Sequence, residues 1–171
     1  MKKVIIVLFF AGITVIGFAQ QKIQPNWQDF STVINATGQD KLSMIYVYNN
    51  SWDLCTTAEK TILADTIVIN ALNEDFICAK FDSETKEDVI VKGKPHPYLP
   101  SSETHGVNMY TIMLLEGKMG YPTYVFLDKE GTKIGRHFPV NDAKELLLIL
   151  SYYSSGDYKK SSYEEWIKKQ K

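Results

Sequence analysis

The sequence has little cysteine, with Cys55 and Cys78 as the two thiols in 171 residues. Small exported domains that cannot build a core are held together by several disulfides, and two cysteines are too few for such a framework. Hydrophobic residues make up 44% of the chain and charged residues 23%, which suits one globular domain. Stability must therefore come from a hydrophobic core.

An excess of basic residues is also missing. The chain has 19 Lys and Arg against 20 Asp and Glu, for a formal net charge of −1. Domains that bind nucleic acid carry a basic stripe, so we expect no nucleic-acid partner. The sequence likewise has no Gly-rich phosphate loop, no Ser-His-Asp constellation and no paired carboxylates at helical spacing, and it predicts no cofactor.

The three histidines do not form a metal-binding pattern. His96, His105 and His137, taken with Glu103, match no zinc spacing, and His137 alternates within a predicted strand. We therefore expect no metal site.

The N-terminus predicts export. Lys2 and Lys3 precede an apolar run from Val4 to Ile16, and the small residue Ala19 follows. This is the pattern of a secretory signal peptide over residues 1–19, with cleavage after Ala19 or the next residue. A retained membrane anchor is the alternative, but the run is shorter than the ~18 residues expected of a spanning helix. We expect a single exported domain over 20–171, periplasmic or secreted, with no membrane span after cleavage.

Helices and strands are predicted to alternate along that domain. A continuous apolar and β-branched run at 42–48 is typical of a strand buried on both faces. The expected elements are a helix over 25–36, strands at 42–48 and 76–82, helices beginning near 53 and 65, strands at 121–127 and 132–138, and helices beginning near 142 and 162. The last of these forms a C-terminal helical tail. The crossover between the first two strands implies that they are parallel.

Residues 83–118 are the least regular part of the domain. A small hairpin or an extended arm is predicted here, because Gly93 suits a turn and the neighbouring prolines at 95 and 97 exclude a central strand. A helix with Val107, Tyr110, Met113 and Leu114 on its apolar face should follow. We interpret the whole stretch as an insertion within the domain.

The junction between the first buried strand and the next helix is the candidate site. Asp53 is expected to cap this helix, and Leu54, Ala58 and Ile62 to form its buried stripe. Cys55 falls in the first turn, where the helix dipole favours a thiolate and lowers the pKa of the thiol. Whether Cys55 is accessible, or bridged to Cys78, is left open by the sequence, although Cys78 lies in a predicted core strand.

The order of elements and two segments resemble the thioredoxin-like family. Residues 120–131 (GYPTYVFLDKEG) are similar to the segment in which that family places a cis-proline before a strand and an acidic-glycine hairpin. Residues 55–65 are similar to the helix that follows the family's Cys-x-x-Cys motif. The chain is identified as an exported, Bacteroidetes-type member, and the resemblance implies an α/β fold with a central mixed sheet flanked by helices and an insertion at 83–118 before the cis-proline strand.

The resemblance also implies that the redox motif is degenerate. In the segment Ser51-Trp52-Asp53-Leu54-Cys55, Cys55 takes the place of the second, resolving cysteine and Trp52 that of the nucleophile. The family's buried acid falls on Tyr46, which is uncharged. With Cys55 as the nucleophile instead, Ala58 stands in the resolving position, so neither alignment supplies the second thiol that dithiol chemistry needs.

The resemblance also implies a peptide-binding groove, whose residues can be named in this sequence. The resemblance implies a cis bond before Pro122 and a binding surface formed by Ser51, Trp52, Asp53, Tyr121 and Pro122 beside Cys55. Trp52 and Tyr121 would be exposed aromatics that flank the groove, although simple packing between the loop and the insertion is an alternative.

Three functions follow from these patterns. The first is an exported protein of the thiol–disulfide, redox-homeostasis class without dithiol oxidoreductase activity, which binds a polypeptide or thiol-containing partner near Cys55 and Pro122. The second is a monothiol disulfide reductase or isomerase that uses Cys55 with an external thiol. The third is a non-catalytic interaction module that uses the 83–118 insertion.

Overall fold

The computed structural model describes residues 24–101 and 105–170. The predicted signal peptide and Glu103 lie outside these residues. Within them, none of the helices combines the length and the apolar character that crossing a membrane would require.

The described residues form nine short strands and six α-helices. The strands are β1 (Trp27–Gln28), β2 (Leu42–Tyr48), β3 (Phe76–Asp82), β4 (Val89–Val91), β5 (Lys94–His96), β6 (Tyr98–Leu99), β7 (Val107–Asn108), β8 (Thr123–Leu127) and β9 (Lys133–His137). The helices are α1 (Phe30–Asn35), α2 (Asp53–Thr61), α3 (Thr66–Asp75), α4 (Met109–Leu114), α5 (Ala143–Ser154) and α6 (Tyr163–Lys168).

A five-stranded mixed sheet in the order β1-β3-β2-β8-β9 is the centre of the fold. β2 pairs in parallel with β3 and antiparallel with β8, so Tyr46 lies between Lys80 and Tyr124. The parallel strand-helix-strand unit predicted from the sequence is confirmed. The bounds of β2 and β3 also match, because β2 is a nearly continuous apolar run and β3 is apolar except for Lys80 and Asp82.

Each face of the sheet is covered by its own hydrophobic core. Met44 and Tyr46 of β2 point into the core formed with α2, α3, α5 and α6, which also holds Cys78. Ile45 and Val47 point into the core formed with α1 and α4. The alternation follows from the two-residue period of a strand, and it confirms Cys78 as a core residue.

Two predicted helices begin at other residues than expected. The helix predicted over 25–36 is shorter, because residues 27–28 pair with β3 as a strand and the side chain of Asp29 caps α1 by accepting a hydrogen bond from Thr32 N. Asp53 is not the cap of α2 but its first helical residue, and Trp52 occupies the cap position without a side-chain hydrogen bond. The helix predicted to begin near residue 65 is α3, which ends at Asp75, two residues beyond the end expected at Asn73.

The predicted insertion consists of two different parts. Residues 83–101 and 105–108 include the small sheets β4–β5 and β6–β7 and are called the insertion arm below. α4 belongs to the core instead, since Tyr110, Thr111 and Leu114 are buried. Val107 lies in β7, not in a helix, and Met113 is exposed, so both predictions for these residues are wrong.

The C-terminal elements are capped as the sequence indicates. Asp142 caps α5, and Ser162 and Glu165 form the predicted capping box of α6. Trp166 is buried against α5, and its Nε1 donates a hydrogen bond to Asp157 at 2.9 Å. The tail is therefore part of the core.

His137 gives the fold a dependence on pH. Its ring packs against Phe126, Tyr153 and Tyr163, and its Nε2 is 3.0 Å from the Tyr153 hydroxyl. Burial lowers the pKa of His137 from 6.5 to about 4, although Glu145 and Glu164 act in the opposite direction. The unfolded chain therefore binds more protons than the folded chain between these two values.

We expect the free energy of unfolding contributed by His137 to be constant above about pH 6.5 and to fall as the pH drops toward 4. The loss between pH 7 and pH 5 should be about 2 kcal/mol, measured by urea unfolding. His137→Gln should remove this dependence, whereas His105→Gln, at an exposed position, should keep it. An unchanged pH dependence in His137→Gln would show that another group is responsible.

Candidate functional site

Asn49 organises the loop between β2 and α2. Its side-chain Oδ1 accepts a hydrogen bond from the backbone N–H of Ser51 at 2.8 Å, and its own backbone N–H points at the sulfur of Cys55 at 3.5 Å. Asn50 is tied to the end of β3 by a bond to Asp82 at 3.0 Å. The loop is thus held in one conformation by short-range polar contacts.

Cys55 lies in the first turn of α2, as predicted, but its side chain is only 4% exposed. Burial raises the pKa of this thiol, and Glu59 and Asp82 add to the effect, while the Asn49 N–H acts against it. The prediction that the helix dipole lowers this pKa is wrong, because desolvation of the thiolate outweighs the helix N-terminus. Both cysteines are free thiols.

Trp52 occupies the exposed position of the same turn. Trp52 precedes Cys55 by three residues, and the N–H of Cys55 donates a hydrogen bond to the carbonyl of Trp52 at 2.9 Å. The two residues therefore lie in one helical turn. The indole is 42% exposed and meets the ring of Tyr121 edge to face, with the ring centroids 5.4 Å apart. The exposed residue of the turn therefore has no thiol, and the thiol of the turn is not exposed.

Tyr121 and Pro122 lie directly below this turn. The peptide bond between them is cis. Tyr121 is 5% exposed, so the prediction that it is an exposed aromatic beside Trp52 is wrong; the indole of Trp52 covers it. Pro122 is also buried, although it forms part of a groove wall.

A groove of about 180 Å³ runs between α2 and the segment that follows β9. Apolar residues dominate its walls, and the polar groups are two threonines and an asparagine. The lining residues are Leu54, Thr57, Ala58, Thr61, Ile62, Pro122, Phe138, Pro139, Val140 and Asn141. Together with Trp52, Leu54 and Phe138 give this end of the sheet an exposed apolar surface. We call Trp52, Leu54, Pro122 and Phe138 the apolar site.

Leu54 and Phe138 were not predicted as site residues. The prediction that Leu54 belongs to the buried stripe of α2 is wrong, since it is 57% exposed, whereas Ala58 and Ile62 are buried as predicted, together with Cys55. A stripe at i, i+3 and i+7 that includes the cysteine would have identified Leu54 as outward-facing. Phe138 packs on Gly120, where an added Cβ would lie 2.5 Å from the ring, and no local sequence pattern predicts this contact.

Ser51 and Asp53 are exposed on either side of Trp52. Among the predicted site residues, the structure therefore brings Ser51, Trp52, Asp53, Tyr121 and Pro122 to one end of the sheet beside Cys55. Only the first three of those five present their side chains to solvent.

Tyrosines fill the space beneath α2. The hydroxyl of Tyr46 donates to the carbonyl of Cys55 at 3.2 Å. Lys80 lies over the ring of Tyr46 and pairs with Glu59 at 2.6 Å. Tyr124 packs against Tyr46 with its hydroxyl fully buried and without a hydrogen-bond partner in the described part of the chain. A buried acid that could take a proton from a thiol is replaced here by neutral phenols, whose pKa values burial raises.

His96 and His137 lie apart from this site. His96 is buried in the insertion arm with Nδ1 3.0 Å from the carbonyl of Val89, and His137 belongs to the C-terminal core. Across residues 24–101 and 105–170, no three His, Cys, Asp or Glu side chains are grouped so that they could hold a metal ion.

Comparison with known proteins identifies the fold. No family model matches the chain, and no curated protein matches it in sequence. A thioredoxin-fold protein from Helicobacter pylori is similar in structure, with a TM-score of 0.60 and 14% identity over 84% of this chain and 86% of that one. The DsbH oxidoreductase is similar with a TM-score of 0.52 and 15% identity over 77% and 85% of the two chains. The predicted thioredoxin-like fold is confirmed, and at these identities the likeness concerns the fold alone.

The buried hydroxyl of Tyr124 provides a test of the site's packing. Because a buried donor without a partner is destabilising, Tyr124→Phe should raise the free energy of unfolding by about 1 kcal/mol. Tyr46→Phe is the matched control, since it removes a hydroxyl that is bonded to Cys55, and it should lower the same quantity by about 1 kcal/mol. Chemical unfolding of the two variants measures both. A Tyr124→Phe variant less stable than the wild type would contradict the assignment.

Proposed function

We propose that this chain is an exported thioredoxin-fold protein of the thiol–disulfide class that has lost dithiol turnover and binds polypeptide at the apolar site. The observation that carries the proposal is the exchange of roles in the first turn of α2. Trp52 holds the exposed position from which a nucleophilic thiol would act, and Cys55 is buried with a raised pKa. A thiol–disulfide exchange step needs an accessible thiolate.

Binding is supported by the large apolar side chains that are exposed at this end of the sheet. Leu54 and Phe138 are large, exposed apolar side chains that line one groove, and Trp52 is exposed two residues before Leu54, at the start of the same helix. Clustered exposure of this kind marks interaction surfaces. The groove volume of about 180 Å³ suits one large side chain of a partner, such as leucine or phenylalanine. Polypeptide is the partner because an extended chain can place such a side chain in the groove while its backbone passes Trp52.

Export is supported by the pattern of residues 1–19, with its two lysines and its apolar run. The mature chain would then lie in the periplasm or outside the cell. An oxidising compartment suits a protein whose two cysteines are both buried.

The apolar site predicts a binding phenotype for two positions. A fluorescein-labelled extended peptide with one leucine or phenylalanine among alanine and serine residues should bind the purified domain, as measured by fluorescence anisotropy. Trp52→Ala and Phe138→Ala should each raise the Kd about tenfold, as expected for central aromatic residues of an interface. Ile67→Ala, an exposed apolar residue of α3, is the matched control and should leave the Kd unchanged. Equal affinities for Trp52→Ala and the control would rule out this site.

The loss of turnover predicts that one substitution restores it. The wild type should reduce insulin disulfides with dithiothreitol no faster than dithiothreitol alone. Trp52→Cys places a second thiol three residues before Cys55, at the helix N-terminus, and should raise the rate well above that background. Cys55→Ser in the Trp52→Cys background should abolish the gain. Wild-type turnover that Cys55→Ser removes would instead establish the monothiol reductase or isomerase.

A further inference from the structure

Asn49 connects the candidate site to the insertion arm. Its side chain is buried, with 3% of the residue exposed. Two of its polar groups contact the candidate site. The backbone N–H points at the Cys55 sulfur, and the side-chain Oδ1 accepts a hydrogen bond from the N–H of Ser51. These two contacts fix the loop that carries Trp52.

The side-chain amide nitrogen of Asn49 is bound by the first two residues of the arm. Its Nδ2 donates to the carboxylate of Glu84 at 2.7 Å and to the hydroxyl of Ser83 at 3.3 Å. A hydrogen bond to a carboxylate is shorter and stronger than one to a hydroxyl, so Glu84 is the principal partner.

Both ends of the arm meet at these two residues. The Nδ1 of His105 lies 3.6 Å from the same carboxylate oxygen of Glu84. The carbonyl of Ser83 accepts hydrogen bonds from the backbone N–H of Asn108 at 2.8 Å and from the hydroxyl of Thr111 at 3.2 Å. The backbone N–H of Ser83 also donates to the carbonyl of Tyr48 at 2.9 Å, so the carboxylate on which Asn49 depends is fixed to the end of the sheet.

We propose that Glu84, at the start of the insertion arm, is a positioning residue for the candidate site and acts through Asn49. With Glu84 as its partner, Asn49 holds the loop closed, and Cys55 stays covered. Without the Glu84 carboxylate, Asn49 loses its strongest partner and the loop opens. The meaning of this link for binding rests on the proposed function, but the link itself can be measured without it.

The first measurement is the alkylation of Cys55 by iodoacetamide in the folded protein, located by peptide mass mapping. A hydrogen bond to a charged group is worth enough that Glu84→Ala should raise the rate at Cys55 by about 10- to 100-fold. Glu84→Gln keeps an oxygen acceptor for Asn49 and should stay within a few-fold of the wild type. Glu87→Ala, an exposed acidic residue of the same arm, is the matched control and should change nothing.

Cys78 separates local opening from general loss of stability. It is buried in the core on the other face of the sheet. Local opening of the loop in Glu84→Ala exposes Cys55 and leaves the alkylation rate of Cys78 unchanged. Parallel increases at both cysteines would overturn the proposal, since they would mean that Glu84 only contributes to global stability.

A double-mutant cycle tests the route through Asn49. If Glu84 acts through Asn49, Glu84→Ala should have little further effect on the Cys55 rate in an Asn49→Ala background. Additive effects of the two substitutions would overturn the route. The labelled-peptide assay separates this proposal from the proposed function: a wild type that binds no peptide contradicts the function, and the alkylation results stand on their own.

Discussion

The side chain of Cys55 is held beneath the first turn of α2 by contacts that also fix the rest of the site. The Asn49 N–H reaches its sulfur, the Tyr46 hydroxyl binds its carbonyl, and the core formed with α1 and α4 encloses its side chain. A thiolate in this position would lose its hydration without gaining a positive partner, so the thiol stays protonated. In the proposed function, burial of this one group makes the junction a surface for binding and not a centre of exchange.

The apolar site follows from the same arrangement. Once Cys55, Ala58 and Ile62 form the buried face of α2, Leu54 must point outward, and Trp52 at the cap position lies over Tyr121. Phe138 reaches the same groove from the segment after β9 because Gly120 leaves room for its ring. The insertion arm contributes through Glu84 and Asn49, which link its first residues to the loop.

The parts of this structure that depend on local pattern could be predicted from the sequence. β2 is a nearly continuous apolar run, β3 is apolar except for Lys80 and Asp82, and the caps at Asp142 and Ser162 are recognisable in sequence. The parts that depend on contacts between distant segments could not. The packing of Trp52 on Tyr121 joins residues 69 positions apart. Predicting that Leu54 is exposed would have required taking Cys55 as the first residue of the buried stripe. Glu84 and Asn49 carry no signal in sequence, because their roles exist only once the arm has returned to the sheet.

The rate at which iodoacetamide alkylates Cys55 in the native protein, relative to the unfolded chain at the same pH, tests the central claim most directly. The account predicts a native rate at least about 100-fold below the unfolded one, since both burial and a raised pKa reduce the accessible thiolate. A native rate equal to or above that of the unfolded chain would show an exposed, activated thiol and would contradict the account.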